Sequence, residues 1–230
     1  ESGATSATGG SENTSYDVFP KTTTKRLRIA VSNEGNTSSA TTQFRLEYAQ
    51  KVSTCSAATG WTDVGATADD FDMSPTTNLT DGADTINIAL GIGGVNDTNT
   101  NFLSPNGGER DTTSQTGSLV LSDTQFVELE YAIIASATVS DGSTYCFRVT
   151  NAGTPLPVYV NYPEATIAAD VLVDTIGTQT SSVTIPVTNQ YAGGAFRVTD
   201  LTAGAGTISS VTVTASGTVD IQNDISNIIL

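Results

Sequence analysis

The sequence predicts an all-β protein made of two antiparallel β-sandwich units with little or no helix. Three observations carry that expectation. Short stretches in which apolar and polar residues alternate with a period of two recur along the chain. Loops rich in Asp, Asn, Gly, Ser and Thr separate them, and no apolar repeat at helical spacing interrupts the series. Parallel sheets need crossover helices, which this pattern does not supply, so the strands are expected to pair antiparallel.

Taken in order, residues 1–15 are mostly Gly, Ser, Thr and Ala and have nothing to bury, so they read as a flexible or partner-ordered N-terminal segment. Order is expected from Tyr16. Residues 26–31 place Leu27, Ile29 and Val31 on one face and Arg26 and Arg28 on the other, and Asn33 to Asn36 form a turn. Residues 43–48 repeat the device with Phe44, Leu46 and Tyr48 inward. Further strands are expected at 85–90, 117–121, 126–134, 145–149 and 158–162. A boundary near Pro163 to Asp170 divides a larger unit, 16–166, from a smaller β-rich unit, 167–230. The smaller unit has strands expected at 171–173, 182–187, 195–198, 210–214, 218–221 and 225–230. Both units are expected to be immunoglobulin-like or jelly-roll-like.

Composition narrows the function. The chain has no histidine, which removes the usual proton shuttle and the commonest metal ligand. A net charge of −15, from 24 acids against 9 bases, argues against nucleic acid and against an anionic membrane surface. No run approaches the roughly 20 apolar residues of a membrane helix. The only two cysteines, Cys55 and Cys146, both lie beside strand-like segments. They read as a structural disulfide, with two free buried thiols as the alternative. A disulfide there implies an extracellular or cell-surface setting. Glu1-Ser2-Gly3-Ala4 carries no signal-peptide pattern, so a removed leader or a longer parent chain is expected.

Particular strings carry a resemblance. These are 26–35, 44–49, Cys55-Ser56, 61–64, 79–82, 128–133 and 144–153, then 188–196, 216–219 and 223–228. Together they resemble tandem β-sandwich segments of large uncharacterised exported surface proteins of uncultured candidate-phyla bacteria. More distantly, the turn Asn33-Glu34-Gly35 after an alternating strand is similar to bacterial cell-adhesion-related immunoglobulin-like domains. The resemblance implies export, surface display and tandem sandwiches in a longer polypeptide. It supplies no catalytic residues.

Several constellations invite a functional reading. Glu128 and Glu130 stand two apart, as paired carboxylates do in glycoside hydrolysis, but Arg26 and Arg28 show the same spacing. An exterior ladder of opposite charges is the expected outcome, and Glu47 with Arg148 forms a second pair if their strands are neighbours. The run Asp97, Asn99, Asn101 begins like a calcium loop, yet Phe102 and Gly108 stand where a glycine and a glutamate belong. Asp69, Asp70, Asp72, Asp81 and Asp84 join it as candidates for an irregular Ca2+ site, against solvated turns. Tyr145 adjoins Cys146, so its ring is expected on the opposite face of the strand. Trp61, with Tyr48 and Tyr131, is a candidate sugar-stacking platform, the alternative being that Tyr48 and Trp61 sit in the core. Asn13, Asn36, Asn78 and Asn96 begin N-glycosylation patterns, which arise readily in a chain rich in Asn, Ser and Thr.

Ile225, Ile228, Ile229 and Leu230 make an apolar strand without a capping turn, expected to continue in a longer chain or to pair in an assembly. Taken together, these features predict a non-enzymatic structural subunit of a surface layer or filament whose partners are copies of itself. The alternative is a carbohydrate-binding or adhesion module; hydrolase activity ranks far behind, since no histidine is present to build a nucleophile and base pair.

Overall fold

The computed structural model describes residues 6, 8–9, 11–65, 69–88, 94–177 and 195–200. The chain divides into two compact units, 1–169 and 170–230. The first unit holds β1 (Tyr16–Phe19), β2 (Lys25–Ser32), β3 (Thr42–Gln50), β4 (Thr62–Asp63), β5 (Phe71–Met73) and β6 (Asn101–Phe102). It continues with β7 (Glu109–Arg110), β8 (Gln115–Leu119), β9 (Gln125–Ala135), β10 (Thr144–Asn151), β11 (Thr154–Pro155) and β12 (Glu164–Ile167). One 3-10 turn, Cys55–Ala57, interrupts the strands. The described part of the second unit is an antiparallel pair, β13 (Val171–Ile176) and β14 (Ala195–Asp200). The strands expected at 182–187, 210–214, 218–221 and 225–230 lie outside the described residues.

Two sheets make up the first unit. One runs β1-β12-β10-β3-β4, with β8 sharing the outer side of β3 and β11 closing a hairpin on β10. The other sets β2 against one side of β9, while β6, β7 and β5 succeed one another along its other side. Most pairs are antiparallel, but β1 with β12 and β6 and β7 with β9 are parallel. Long irregular connections make those returns, so the expectation of purely antiparallel pairing is corrected without any helix being needed.

The inner faces of both sheets contribute to one hydrophobic core. Phe44, Leu46 and Tyr48 of β3 and Tyr145, Phe147 and Val149 of β10 meet Val127, Leu129, Tyr131 and Ile133 of β9. Phe71 is the hub. Fully buried, it meets Phe19, Tyr48, Tyr145 and Phe147 edge to face at centroid distances of 5.6, 5.2, 5.0 and 5.0 Å. Tyr145 and Cys146 point to opposite faces of β10, because successive strand side chains alternate.

Two sequence expectations change. Residues 85–88 form no strand: the Thr85 N–H donates to the Asn106 side-chain oxygen (2.8 Å) in place of a ladder partner. Residues 158–162 form no strand either, since prolines at 155, 157 and 163 break the ladder and leave Val160 87% exposed. In the 163–170 window, β12 pairs with both β1 and β10 as part of the first sheet, and the two units divide after Ala169.

Candidate functional site

The outer face of the first sheet is closed by a disulfide and an ion-pair cluster. Cys55 and Cys146 are bonded, their Cα atoms 5.5 Å apart. Beside them, Arg148 of β10 stands opposite Glu47 of β3. Arg148 Nε and Nη2 donate to Glu47 Oε2 at 3.0 and 2.8 Å; Arg45 Nη2 and Thr150 Oγ1 donate to Oε1, both at 3.1 Å. All four contacts satisfy a carboxylate that is only 3% exposed. The Arg148 guanidinium lies 4.2 Å from the centre of the Trp61 ring. Arg45 also reaches Asp63 at 3.0 Å, and burial, ahead of the opposing pull of Arg45, holds the Asp63 carboxyl above its ordinary range.

Trp61 is not a core residue. It is half-buried on this outer face, where it lies near-parallel to Tyr162 (5.9 Å), which in turn lies near-parallel to Tyr159 (5.1 Å). The Tyr159 hydroxyl donates to the Val149 carbonyl and accepts from the Leu156 N–H, both at 2.8 Å, pinning the 156–163 segment across the sheet. Tyr48 and Tyr131, the other two rings of the expected platform, belong to the core instead.

On the outer face of the second sheet, the charges pair as the alternation predicts. Arg28 stands opposite Glu130 and donates to it at 2.6 Å; it also pairs with Glu128, and Arg26 reaches Glu130 at 3.0 Å. The ladder is interior, not exterior: Glu128 is 0% exposed and Glu130 4%. The cover is the segment between β5 and β8. Arg28 donates to the Ile86 carbonyl, and Gly108 packs so closely that a β-carbon there would stand 3.0 Å from the Glu128 carbonyl oxygen. With each glutamate held by arginine and screened from solvent, this pair has no room to act on a glycoside.

Asp81 and Asp84 serve that same cover, while the other acidic loops bond elsewhere. Asp81 Oδ1 accepts the N–H groups of Asp111, Thr112 and Thr113 at 3.1, 3.1 and 3.3 Å, and Oδ2 pairs with Arg110 at 2.7 Å. Burial acts to raise its carboxyl, but those donors outweigh it and hold Asp81 below the ordinary carboxylate range. Asp84 Oδ1 accepts the N–H groups of Asn106 and Gly107, both at 2.8 Å. Asp70 accepts from the Tyr145 hydroxyl at 2.8 Å and donates its own N–H to the Tyr48 oxygen at 3.0 Å. Burial pushes Tyr48 up to about 12 and raises Tyr145 as well, with the bond to Asp70 as its second cause. Asn99 donates its N–H to Asp97 at 2.8 Å and its side-chain amide to Glu34, while Asn101 begins β6. Among the described residues no three acidic or cysteine side chains gather as a metal site, and the structure shows Asp70, Asp81, Asp84, Asp97 and Asn99, of the calcium candidates Asp69, Asp70, Asp72, Asp81, Asp84, Asp97, Asn99 and Asn101, in local hydrogen bonds. Local hydrogen bonds to the backbone explain why these residue types occur there.

One feature escaped the sequence reading. Among the described residues β2 pairs with β9 alone and is an edge strand eight residues long. Beside that edge lies a broad, open concavity of about 1870 Å3 whose lining mixes apolar Tyr16, Leu27, Ile29, Val31, Val149 and Leu156 with polar residues such as Glu12, Asn13 and Arg26. The three β2 residues are only partly buried although they face the core. The available signal was the lack of any apolar side chain larger than alanine in residues 1–15, which gives that segment nothing apolar to lay over β2. The residues expected to drive assembly, Ile225, Ile228, Ile229 and Leu230, lie outside the described residues.

Comparison with known protein families, with curated proteins and with solved structures finds no match for this chain. Among the described residues no helix is long and apolar enough to cross a membrane.

Proposed function

We propose that the chain is a non-enzymatic, extracellular structural subunit of a cell-surface assembly, a layer or filament, joined to its neighbours through sheet edges. The observation that carries this reading is the long edge of β2, which pairs with no strand but β9 among the described residues and lies beside a broad concavity, since edge strands are templates for another chain. The bonded Cys55–Cys146 pair is compatible with an oxidising compartment.

The strand order supports a sandwich module. In an immunoglobulin-type arrangement one sheet carries strands B, E and D and the other G, F and C; here β2-β9-β5 and β12-β10-β3 take those places, with β1 parallel to β12. The second unit is read as another β-rich module of the same tandem series, on the β13–β14 pair and the alternation that follows it in sequence. Negative-stain microscopy and light scattering of the purified chain test the proposal. Regular polymers are expected, and a monodisperse monomer at high concentration would contradict it.

A second reading has its own support in the Trp61–Tyr162–Tyr159 group on the outer face of the first sheet, aromatic rings being what a sugar ring stacks upon. On that reading the module binds glycans. Binding on a glycan array that disappears with Trp61→Ala would favour it, and an empty array would dismiss it.

A further inference from the structure

We propose that β2 pairs with β2 of a second copy of this chain about a two-fold axis at Ile29, joining two sheets into one; the inference rests on the assembly reading above and names its contact. The backbone of β9 shows which way β2 points. On the side of β9 away from β2, the carbonyls of Phe126, Glu128 and Ala132 accept from the Leu103 N–H, the Thr85 hydroxyl and the Ser74 N–H, and the Glu130 N–H donates to the Gly108 carbonyl. Even-numbered residues of β9 therefore bond away from β2. In an antiparallel ladder their even-numbered partners on β2 bond away from β9 in turn, so the strand directs the backbone groups of Arg26, Arg28, Ala30 and Ser32 outward. Among the described residues no strand but β9 pairs with β2, and neither Ala30 nor Ser32 makes a hydrogen bond outside that ladder.

The strand is its own complement. A two-fold contact sets one surface against itself, so a segment must offer matching partners in both directions from the axis, and antiparallel pairing centred on Ile29 does so. Outward-directed residues then face one another: Ala30 faces Arg28 of the second copy and Ser32 faces its Arg26, a small side chain across from each long one on the outer face. On the inner face Ile29 meets Ile29, and Leu27 meets Val31 of the second copy, which covers apolar side chains left only partly buried beside the concavity. Charge supplies no attraction here and raises no barrier, since Arg26 and Arg28 are held by Glu130 and Glu128 of their own chain. For the same reason they do not stand over the edge as guards. Centring on Arg28 would set arginine against arginine, and centring on Ala30 would set Leu27 against Asn33, so the side chains select the Ile29 axis. Residues 1–15 offer the edge no apolar side chain larger than alanine and do not compete for it.

Cysteine cross-linking of the full chain under mild oxidation tests the contact, because Cys55 and Cys146 are bonded to each other and leave an introduced cysteine as the free thiol. Across the axis the Cα atoms of the two Ile29 residues should stand about 4.5 Å apart, within reach of a disulfide. Leu27 and Val31 should each stand about 13 Å from their own counterparts but opposite one another. Ile29→Cys alone should therefore give a covalent dimer, Leu27→Cys and Val31→Cys should each give none alone, and an equal mixture of those two should give one. Ala30→Pro removes an outward N–H and no β2–β9 bond, so adding it should abolish the Ile29→Cys dimer at a melting temperature close to that of the unaltered chain. Should the proline variant unfold, the cysteine pattern decides by itself. No dimer from Ile29→Cys or from the mixture, while the unaltered chain assembles in light scattering, would overturn this contact and leave the structural-subunit proposal standing. Dimers from every cysteine variant alike, the mark of random collision, would overturn it as well. An unaltered chain that stays monomeric at high concentration would overturn both proposals.

Discussion

Glu47 shows how much a single side chain holds in place. Its carboxylate accepts from Arg45, Arg148 and Thr150 in a largely buried site, so removing it leaves Arg148 without a carboxylate partner, while Arg45 keeps Asp63. Glu47→Ala should cost about 3–5 kcal/mol in urea unfolding. Replacing the pair together, Glu47→Leu with Arg148→Met, should recover most of that loss, because apolar groups of similar volume carry no desolvation penalty. Asp81 sets the acid limit of the cover over β9. Its folded-state carboxyl lies below the unfolded value, so its contribution is present above about pH 4 and disappears as pH falls through the folded value. Asp81→Asn should therefore lower stability near neutrality and flatten the acid limb of a melting-temperature profile. Tyr48 and Tyr145 act in the opposite direction. With both hydroxyls raised, their contribution is complete below about pH 10 and lost as pH rises through the folded values, so phenolate absorbance and unfolding should rise together on alkaline titration.

Strands follow from local pattern only where one face is buried and the other wet. The alternation in β2, β3 and β10 made their inward faces legible, and the matched spacing of Arg26 and Arg28 with Glu128 and Glu130 anticipated the pairing of β2 with β9. The site was half legible in the same way, Glu47 and Arg148 being readable as a pair and the cysteines as a disulfide. What escaped were the features set by long-range cover. Glu128 and Glu130 look like outward residues, and only the distant Thr85, Ile86 and Gly108 bury them. The Val- and Tyr-rich run 158–162 reads as a strand, yet Tyr159 and Tyr162 lie across a sheet as a capping segment. Phe71 sits in a strand of three residues, too short to stand out by period, yet it joins the rings of both sheets. Phe71→Ala should cost about 3–5 kcal/mol by urea titration, and a loss under 1 kcal/mol would mean the cluster is not the core's hub.

At the scale of the molecule, the two sheets described in the first unit share one hydrophobic core. Its disulfide, closing a separation of 91 residues, should account for at most about 4–5 kcal/mol of stability, measurable as the difference between oxidised and reduced chains in denaturant. The proposed assembly needs a unit that presents the β2 edge without unfolding, and this bracing serves that need. Amide hydrogen exchange, read residue by residue in dilute and in assembled chain, tests this most directly. In dilute solution Leu27, Ile29 and Val31 should be protected while Ala30 and Ser32 exchange freely, and assembly should slow Ala30 and Ser32. Slow exchange of Ala30 and Ser32 already in dilute monomer, or free exchange of both in the assembled state, would contradict the account.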